Sequence, residues 1–134
     1  MTEPDFRHTL RVYWEDTDAG GVVFFANYLK FFERARTEWL RAAGLGQLQL
    51  RERFGLLFMV ADTRVKFLAP ARLDDALRIT AQPEALHGAT IALVQTAWRG
   101  EQRLVDSQVT LACVDAGTLR PRRIPNPVLE ALHT

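Results

Sequence analysis

One amphipathic segment with large apolar side chains constrains this chain more than any other feature. At 100° per residue, the apolar side chains of residues 27–43 fall within one arc of roughly 120°. They are Tyr28, Phe31, Phe32, Ala35, Trp39, Ala42 and Ala43. Asn27 is the predicted N-cap and Gly44 the predicted stop of this helix. An aromatic stripe of this width needs a broad, flat apolar surface to cover.

Alternating segments later in the chain predict that surface. Apolar and polar residues alternate along 61–67, 77–82, 91–98 and 105–113, and along a first strand at 8–14. A shorter helix is predicted at 48–54, and one or two helical turns at 126–132. The short connections between neighbouring strands predict an antiparallel sheet that the long helix covers on one face.

The predicted fold class is therefore α+β, as a single domain over residues 1–134 with a sheet of five or six strands. A chain of 134 residues with 48% hydrophobic residues can bury its own core without disulfides or metals. One helix cannot cover the whole sheet, and the edge strands would stay open. A homodimer that joins two sheets edge to edge would solve both problems, and we expect one.

Composition narrows the class of protein. Seventeen basic and sixteen acidic residues leave a formal charge of +1, which gives no footprint for nucleic acid or a membrane surface. The basic cluster Arg120, Arg122 and Arg123 is interpreted as a solvated tail rather than a site for an anionic cofactor. Cys113 is the only cysteine, which favours a reducing compartment, and no signal-peptide or membrane-spanning pattern occurs. We expect a cytoplasmic protein with no integral membrane segment.

Several kinds of catalytic site find no support. Ser107, the only serine, lies outside any G-x-S-x-G elbow, and Cys113 lies on the apolar parity of its strand. The three histidines are far apart in sequence and form no zinc pattern. Neither of the usual glycine-rich nucleotide motifs is present. We expect no metal and no cofactor.

The acidic, glycine-rich loop at residues 15–21 is the remaining candidate. Asp and Gly are ordinary turn residues, so a plain turn is one interpretation. A calcium loop fails, because Gly20 and Asn27 stand where carboxylate ligands are needed. In a third interpretation, the apolar run at 22–26 desolvates Asp18 and raises its basicity, so that Asp18 serves as general base or nucleophile.

Three segments in this region resemble the signature of the hot-dog acyl-CoA thioesterases. They are residues 16–23 (DTDAGGVV), 26–29 (ANYL) and 32–38 (FERARTE), and segments 55–58 and 69–75 agree as well. The resemblance is to the bacterial branch whose genes accompany the Tol–Pal envelope system and, more distantly, to 4-hydroxybenzoyl-CoA thioesterase. It covers about residues 6–130.

The resemblance implies a hot-dog fold, with the long central helix wrapped by the antiparallel sheet. It implies hydrolysis of an acyl-CoA or acyl-carrier-protein thioester to a free acid and a thiol. Asp18 would attack the thioester carbonyl or activate a water. Sites in this family lie between the chains of a dimer, and dimers often pair into tetramers. A backbone N–H near Leu57, Phe58 or Met59 would face the carbonyl oxygen, polarised by a helix N-terminus.

One departure from the family pattern concerns the residues before the helix. The Tol–Pal branch usually carries Tyr-His where this chain has Phe24-Phe25, and neither phenylalanine can transfer a proton. Either Asp18 and backbone donors suffice, with Phe24 and Phe25 lining a pocket for a more apolar acyl group, or the chain is a non-catalytic acyl-binding or envelope-interaction protein. A hot-dog hydratase is less well supported, because no Asp and His are paired within one motif.

Overall fold

A five-stranded antiparallel sheet forms the body of the protein in a computed structural model that describes residues 6–133. The strands are β1 (Arg7–Arg11), β2 (Leu56–Phe67), β3 (Ala76–His87), β4 (Thr90–Arg99) and β5 (Gln102–Asp115). Their order in the sheet is β1-β3-β4-β5-β2, so β1 and β2 are the edge strands. This confirms the predicted α+β hot-dog architecture. The first five residues and residue 134 of the predicted domain lie outside the described range.

The long helix α1 (Asn27–Ala42) packs its aromatic stripe on the sheet. Two hydrogen bonds close its C-terminus: Gly44 N–H donates to Arg41 O at 3.0 Å, and Leu45 N–H donates to Leu40 O at 2.9 Å. Gly44 has a φ of 78°, which a residue without a Cβ adopts easily. The predicted stop at Gly44 is therefore correct.

Two further helical segments follow. The predicted helix at 48–54 is present as α2 (Gln47–Gln49) and an adjoining π-helical turn (Leu50–Phe54). The chain ends in α3 (Asn126–His133), which buries Val128 and Leu132 against the core. The core has two clusters: one around Trp39, Leu93 and Leu111, and one around Phe31, Phe32 and Ile79.

The structure corrects several boundaries. Strand β3 runs to His87, five residues beyond the predicted segment 77–82, and β5 begins at Gln102, three residues before the predicted 105–113. The first strand ends at Arg11, not Trp14, because residues Trp14–Asp16 form a 3₁₀ turn. Strand β2 begins at Leu56, five residues before the predicted start, and carries a bulge between Val60 and Asp62. Asn27 is not the N-cap of α1: Ala26 holds that position, and the Asn27 side chain bonds elsewhere.

Candidate active site

The loop that precedes α1 is built around the buried carboxylate of Asp16. Asp16 is 5% exposed, and both of its carboxylate oxygens accept hydrogen bonds. Asn27 Nδ2 donates to Oδ1 at 2.9 Å, and Tyr13 N–H donates to Oδ2 at 2.8 Å. Asp16 thus joins the start of the loop to the first residue of α1. The sequence alone does not distinguish Asp16 from Asp18, because both belong to the same acidic cluster.

Asp18 lies two residues later in a tight hairpin. Its N–H donates to Val22 O at 2.9 Å, and Thr17 and Val23 form a bridge on either side. The Asp18 carboxylate is exposed, and its Oδ1 accepts the Gly20 N–H at 2.8 Å. A Cβ at position 20 would lie 3.2 Å from that oxygen, so a side chain there would crowd the carboxylate. The apolar surroundings that the sequence suggested for Asp18 are not supplied by its own chain.

The two phenylalanines between Asp18 and α1 form an exposed aromatic group at one end of β2. Phe24 is 44% exposed and Phe25 is 69% exposed. Their rings meet edge to face, and the Phe25 ring also contacts Phe67, the last residue of β2. The Tyr28 ring also contacts Phe67, and the Tyr28 hydroxyl oxygen accepts the Ala71 N–H at 3.0 Å. The hairpin of Asp18 is bonded to the segment just after β2, since Val23 N–H donates to Ala71 O at 2.8 Å. Asp18 and Phe25 therefore belong to the end of the sheet where β2 finishes.

The other predicted site residues lie at the opposite end of the same strand. Leu57, Phe58 and Met59 stand near the beginning of β2, about ten residues before Phe67. At about 3.3 Å per residue, this separation is roughly 30 Å. They also follow the C-terminal end of the π-helical turn, not the N-terminus of a helix. Within one chain, the structure does not bring Leu57–Met59 to Asp18.

Leu57 and Phe58 instead line a cavity between α1, α2 and β2. This cavity, which we call the α1–β2 chamber, has a volume of about 440 Å³. Its walls also include Glu33, Arg36 and Leu40 from α1. Asp18, Phe24, Phe25 and Met59 do not line it. In the single chain, the chamber is separate from the loop that carries Asp18.

Strand β2 pairs with β5 on one side and leaves its other edge open among the described residues. Large apolar side chains are exposed along it and just beyond it; they are Met59 at 44%, Val60 at 49%, Phe67 at 50% and Leu68 at 46%. A long, apolar and unpaired strand edge is a surface that natural proteins normally cover. The Phe24-Phe25 group lies at one end of this strand, and the α1–β2 chamber is lined by residues at its other end.

The surroundings of four other residues, Tyr13, Trp14, Arg122 and Cys113, indicate what each one does. Tyr13 and Trp14 are 63% and 82% exposed, so packing in the core of this chain is ruled out for both. Arg122 donates from Nη1 to the Phe54 carbonyl oxygen at 2.8 Å, which gives it a role in holding the π-helical turn. Cys113 is fully buried, and burial raises the pKa of its thiol, so it stays protonated at neutral pH.

In residues 6–133, no three side chains of the His, Cys, Asp and Glu types are grouped so that they could hold a metal ion. Within the same range, no helix is long and apolar enough to cross a membrane.

Comparison with known proteins gives consistent matches along nearly the whole chain. Residues 12–132 match the model of the thioesterase-like superfamily. The chain is 42% identical over 133 residues to the acyl-CoA thioesterase YbgC of Haemophilus influenzae, covering 99% of this chain and 98% of that protein. It is 31% identical to a 1,4-dihydroxy-2-naphthoyl-CoA hydrolase of Thermosynechococcus vestitus, covering 92% and 84% of the two chains.

A solved structure agrees. A probable thioesterase from Bartonella henselae superposes with a TM-score of 0.83 at 37% identity, over 89% of this chain and 98% of that one. Relatives that share two fifths of their residues across their full length have the same fold and the same kind of chemistry. The chain belongs to the hot-dog acyl-CoA thioesterases of the thioesterase-like superfamily, and it is a thioester hydrolase.

Proposed function

We propose that each active site is shared by two chains, with Asp18 of one chain acting on a thioester bound against the beginning of β2 of the partner. The observation that carries this proposal is the open edge of β2, which has the Phe24-Phe25 group at one end and the α1–β2 chamber at the other. Antiparallel pairing of β2 with a second copy of itself would place the start of one strand beside the end of the other. If the two-fold axis passed between residues 61 and 62, Leu57 would face Lys66 of the partner subunit.

In that arrangement, Asp18 and the Phe24-Phe25 group would lie beside Leu57, Phe58 and Met59 of the partner subunit. The carboxylate would then leave bulk water, which supplies the desolvation that the single chain lacks. Backbone N–H groups at the free edge of the partner's Leu57–Met59 segment could donate to the thioester carbonyl oxygen. The N-terminus of α1, directly after Phe24 and Phe25, adds a positive electrostatic potential on the same side.

Asp18 acts in this proposal as nucleophile or as general base. As general base, it takes a proton from a water whose oxygen attacks the acyl carbon. As nucleophile, one carboxylate oxygen forms an anhydride with the acyl group, which water then opens. In both routes the carbon–sulfur bond breaks, and the thiol leaves with a proton. The hydrogen bond from Gly20 N–H to Oδ1 holds the carboxylate in one orientation, and Oδ2 is left to react.

The substrate carrier is proposed to be coenzyme A, because the names of several relatives specify acyl-CoA thioesters. An acyl-carrier protein is the alternative. We place the reaction in the cytoplasm, since the only cysteine is a buried free thiol. Phe24 and Phe25 would add apolar surface beside the acyl group, so we propose a preference for acyl groups longer than acetyl.

The test is release of free thiol from a panel of thioesters. The panel contains acetyl-, hexanoyl-, octanoyl- and benzoyl-CoA, with hexanoyl-acyl-carrier protein beside hexanoyl-CoA. We expect turnover that peaks beyond acetyl and favours the coenzyme A thioester. A profile that peaks at acetyl would contradict the role given to Phe24 and Phe25. No turnover by folded dimers would favour the non-catalytic acyl-binding alternative.

A further inference from the structure

The α1–β2 chamber has a mixed lining. Seven of its lining residues are apolar, among them Leu40, Phe58 and Leu111, and five are polar or charged. Of the charged lining residues, Glu33 and Arg51 are exposed and Arg36 is half-buried. A half-buried charge costs free energy to desolvate and gives nothing back to a purely aliphatic ligand. The polar part of the lining therefore needs an explanation of its own.

Among the charged residues of this lining, Arg36 is held by a chain of hydrogen bonds to the protein interior. It lies on α1 beside the fully buried Ala35, and its Nη1 donates to Gln95 Oε1 at 3.1 Å. Gln95 is itself 0% exposed on β4, and its Nε2 donates to the Phe32 carbonyl oxygen at 3.0 Å. The buried Gln95 amide therefore links the Arg36 guanidinium, through its oxygen, to the backbone in the middle of α1, through its nitrogen.

Glu33, one turn earlier on α1, also lines the chamber, and its carboxylate is the acidic group that acts on the Arg36 charge. Among residues 6–133, Arg36 forms no ion pair, and Gln95 is its hydrogen-bond partner. Burial lowers the pKa of Arg36, and the more distant carboxylate of Glu33 raises it, but a guanidinium stays protonated at neutral pH. A guanidinium has five donors in a planar fork, which matches the oxygens of a carboxylate or a phosphate. Of these two anions, a carboxylate is the one that can end an acyl chain.

We infer that the α1–β2 chamber receives the distal part of the acyl group and that Arg36 selects acyl groups ending in a carboxylate. The apolar walls hold the methylene stem, and the guanidinium binds the terminal carboxylate. This inference rests on the proposed function, because only the pairing of β2 with its copy brings the mouth of the chamber to the partner's Asp18. It accounts both for the apolar Phe24-Phe25 group near the thioester and for the charge of Arg36 in the chamber.

The kinetic test compares adipoyl-CoA with hexanoyl-CoA, which differ in the terminal carboxylate. We expect the wild type to have the higher kcat/KM for adipoyl-CoA. Arg36→Met, which removes the charge and keeps most of the length, should lower the adipoyl-to-hexanoyl ratio of kcat/KM by about 10- to 100-fold, mainly through KM. Arg36→Lys should keep part of the preference. Arg34→Met, an exposed position on the same helix, is the matched control and should leave the ratio unchanged.

A structural role for Arg36 would give a different pattern. If Arg36→Met lowered both kcat/KM values equally, or if the wild type did not prefer adipoyl-CoA, the inference would be overturned. If Arg36→Met failed to fold, Arg36→Lys would decide: a charged replacement with no trace of the adipoyl preference would also contradict a charge-based selection.

Binding of the free acids separates this inference from the proposed function. Hexanedioate and hexanoate are titrated into the wild type and Arg36→Met, and binding is followed by NMR. Tighter binding of hexanedioate that Arg36→Met abolishes would support the chamber even if no thioester were hydrolysed, in which case the proposed function alone would fail. Hydrolysis of thioesters together with equal or undetectable binding of the two acids would overturn the chamber's selectivity and leave the proposed function standing.

Discussion

At the scale of single residues, burial separates two carboxylates that the sequence presents alike. Asp16 is buried and accepts hydrogen bonds on both oxygens, whereas Asp18 is exposed. The sequence places both in one acidic loop, and it identified Asp18 through a family resemblance. It could not identify Asp16 as the structural one, because the assignment depends on the Asn27 side chain and the Tyr13 backbone meeting across the loop.

The pair of Asp16 and Asn27 gives the first prediction. Asn27→Ala leaves Asp16 Oδ1 buried without its donor, which should lower the free energy of unfolding by about 2 kcal/mol. The loop that carries Asp18 should loosen with it, and kcat should fall. Urea unfolding at fixed protein concentration and steady-state thiol release measure the two effects. The double variant Asp16→Asn/Asn27→Asp restores a hydrogen bond with reversed donor and acceptor, so it should recover part of both. An unaffected Asn27→Ala protein would refute this role.

At the scale of elements, the spacing of apolar residues along the sequence predicted α1 and most strands. It failed where a strand is continuously apolar or contains a bulge. Residues 56–60 were missed as strand because LLFMV is continuously apolar, and the bulge between Val60 and Asp62 shifts the alternation that follows. The N-cap prediction was wrong because the Asn27 side chain donates to the buried Asp16 carboxylate instead of accepting from the first turn of α1. The stop at Gly44 was predictable, since a left-handed glycine is a local signal.

The end of α1 gives the second prediction. Gly44→Ala places a Cβ on a residue with a φ of 78°, which should cost about 1 kcal/mol of unfolding free energy, and Gly44→Asn should cost less. Gly46→Ala is the matched control. Gly46 has a φ of −53°, and an added Cβ there meets only an ordinary contact 3.6 Å away. Urea unfolding of the three variants measures the differences. Equal effects at positions 44 and 46 would contradict the explanation.

At the scale of the whole molecule, the single chain accounts for the fold but keeps the predicted site residues apart. The sequence predicts an edge-to-edge dimer from the uncovered sheet, and that prediction stays untested. Asp18 and Leu57–Met59 lie near opposite ends of β2, and in the proposed dimer a second copy would bring them together. Sequence patterns are local along the chain, so they could not reveal a separation along a strand.

The dimer gives the third prediction. Ala61→Asp would add two carboxylates beside the two Asp62 side chains near the proposed two-fold axis, so repulsion should favour monomers. We expect sedimentation to report about the 15.2 kDa of one chain instead of twice that mass, and thiol release to fall with it. Ala85→Asp, at another exposed alanine next to a strand bulge, should remain dimeric and active. A wild type that is fully active as a monomer would contradict the shared site.

The role of Asp18 is the central claim, and one comparison of variants tests it most directly. Thiol release from the best acyl-CoA substrate is measured for the wild type, Asp18→Asn and Asp74→Asn. Asp74 is an exposed aspartate with a φ of 70°, a conformation that asparagine tolerates, so its variant controls for loss of a surface carboxylate. We predict that Asp18→Asn lowers kcat by about 10²-fold or more while Asp74→Asn has no effect. An Asp18→Asn protein that turned over within a few-fold of the wild type would mean that Asp18 only shapes a turn.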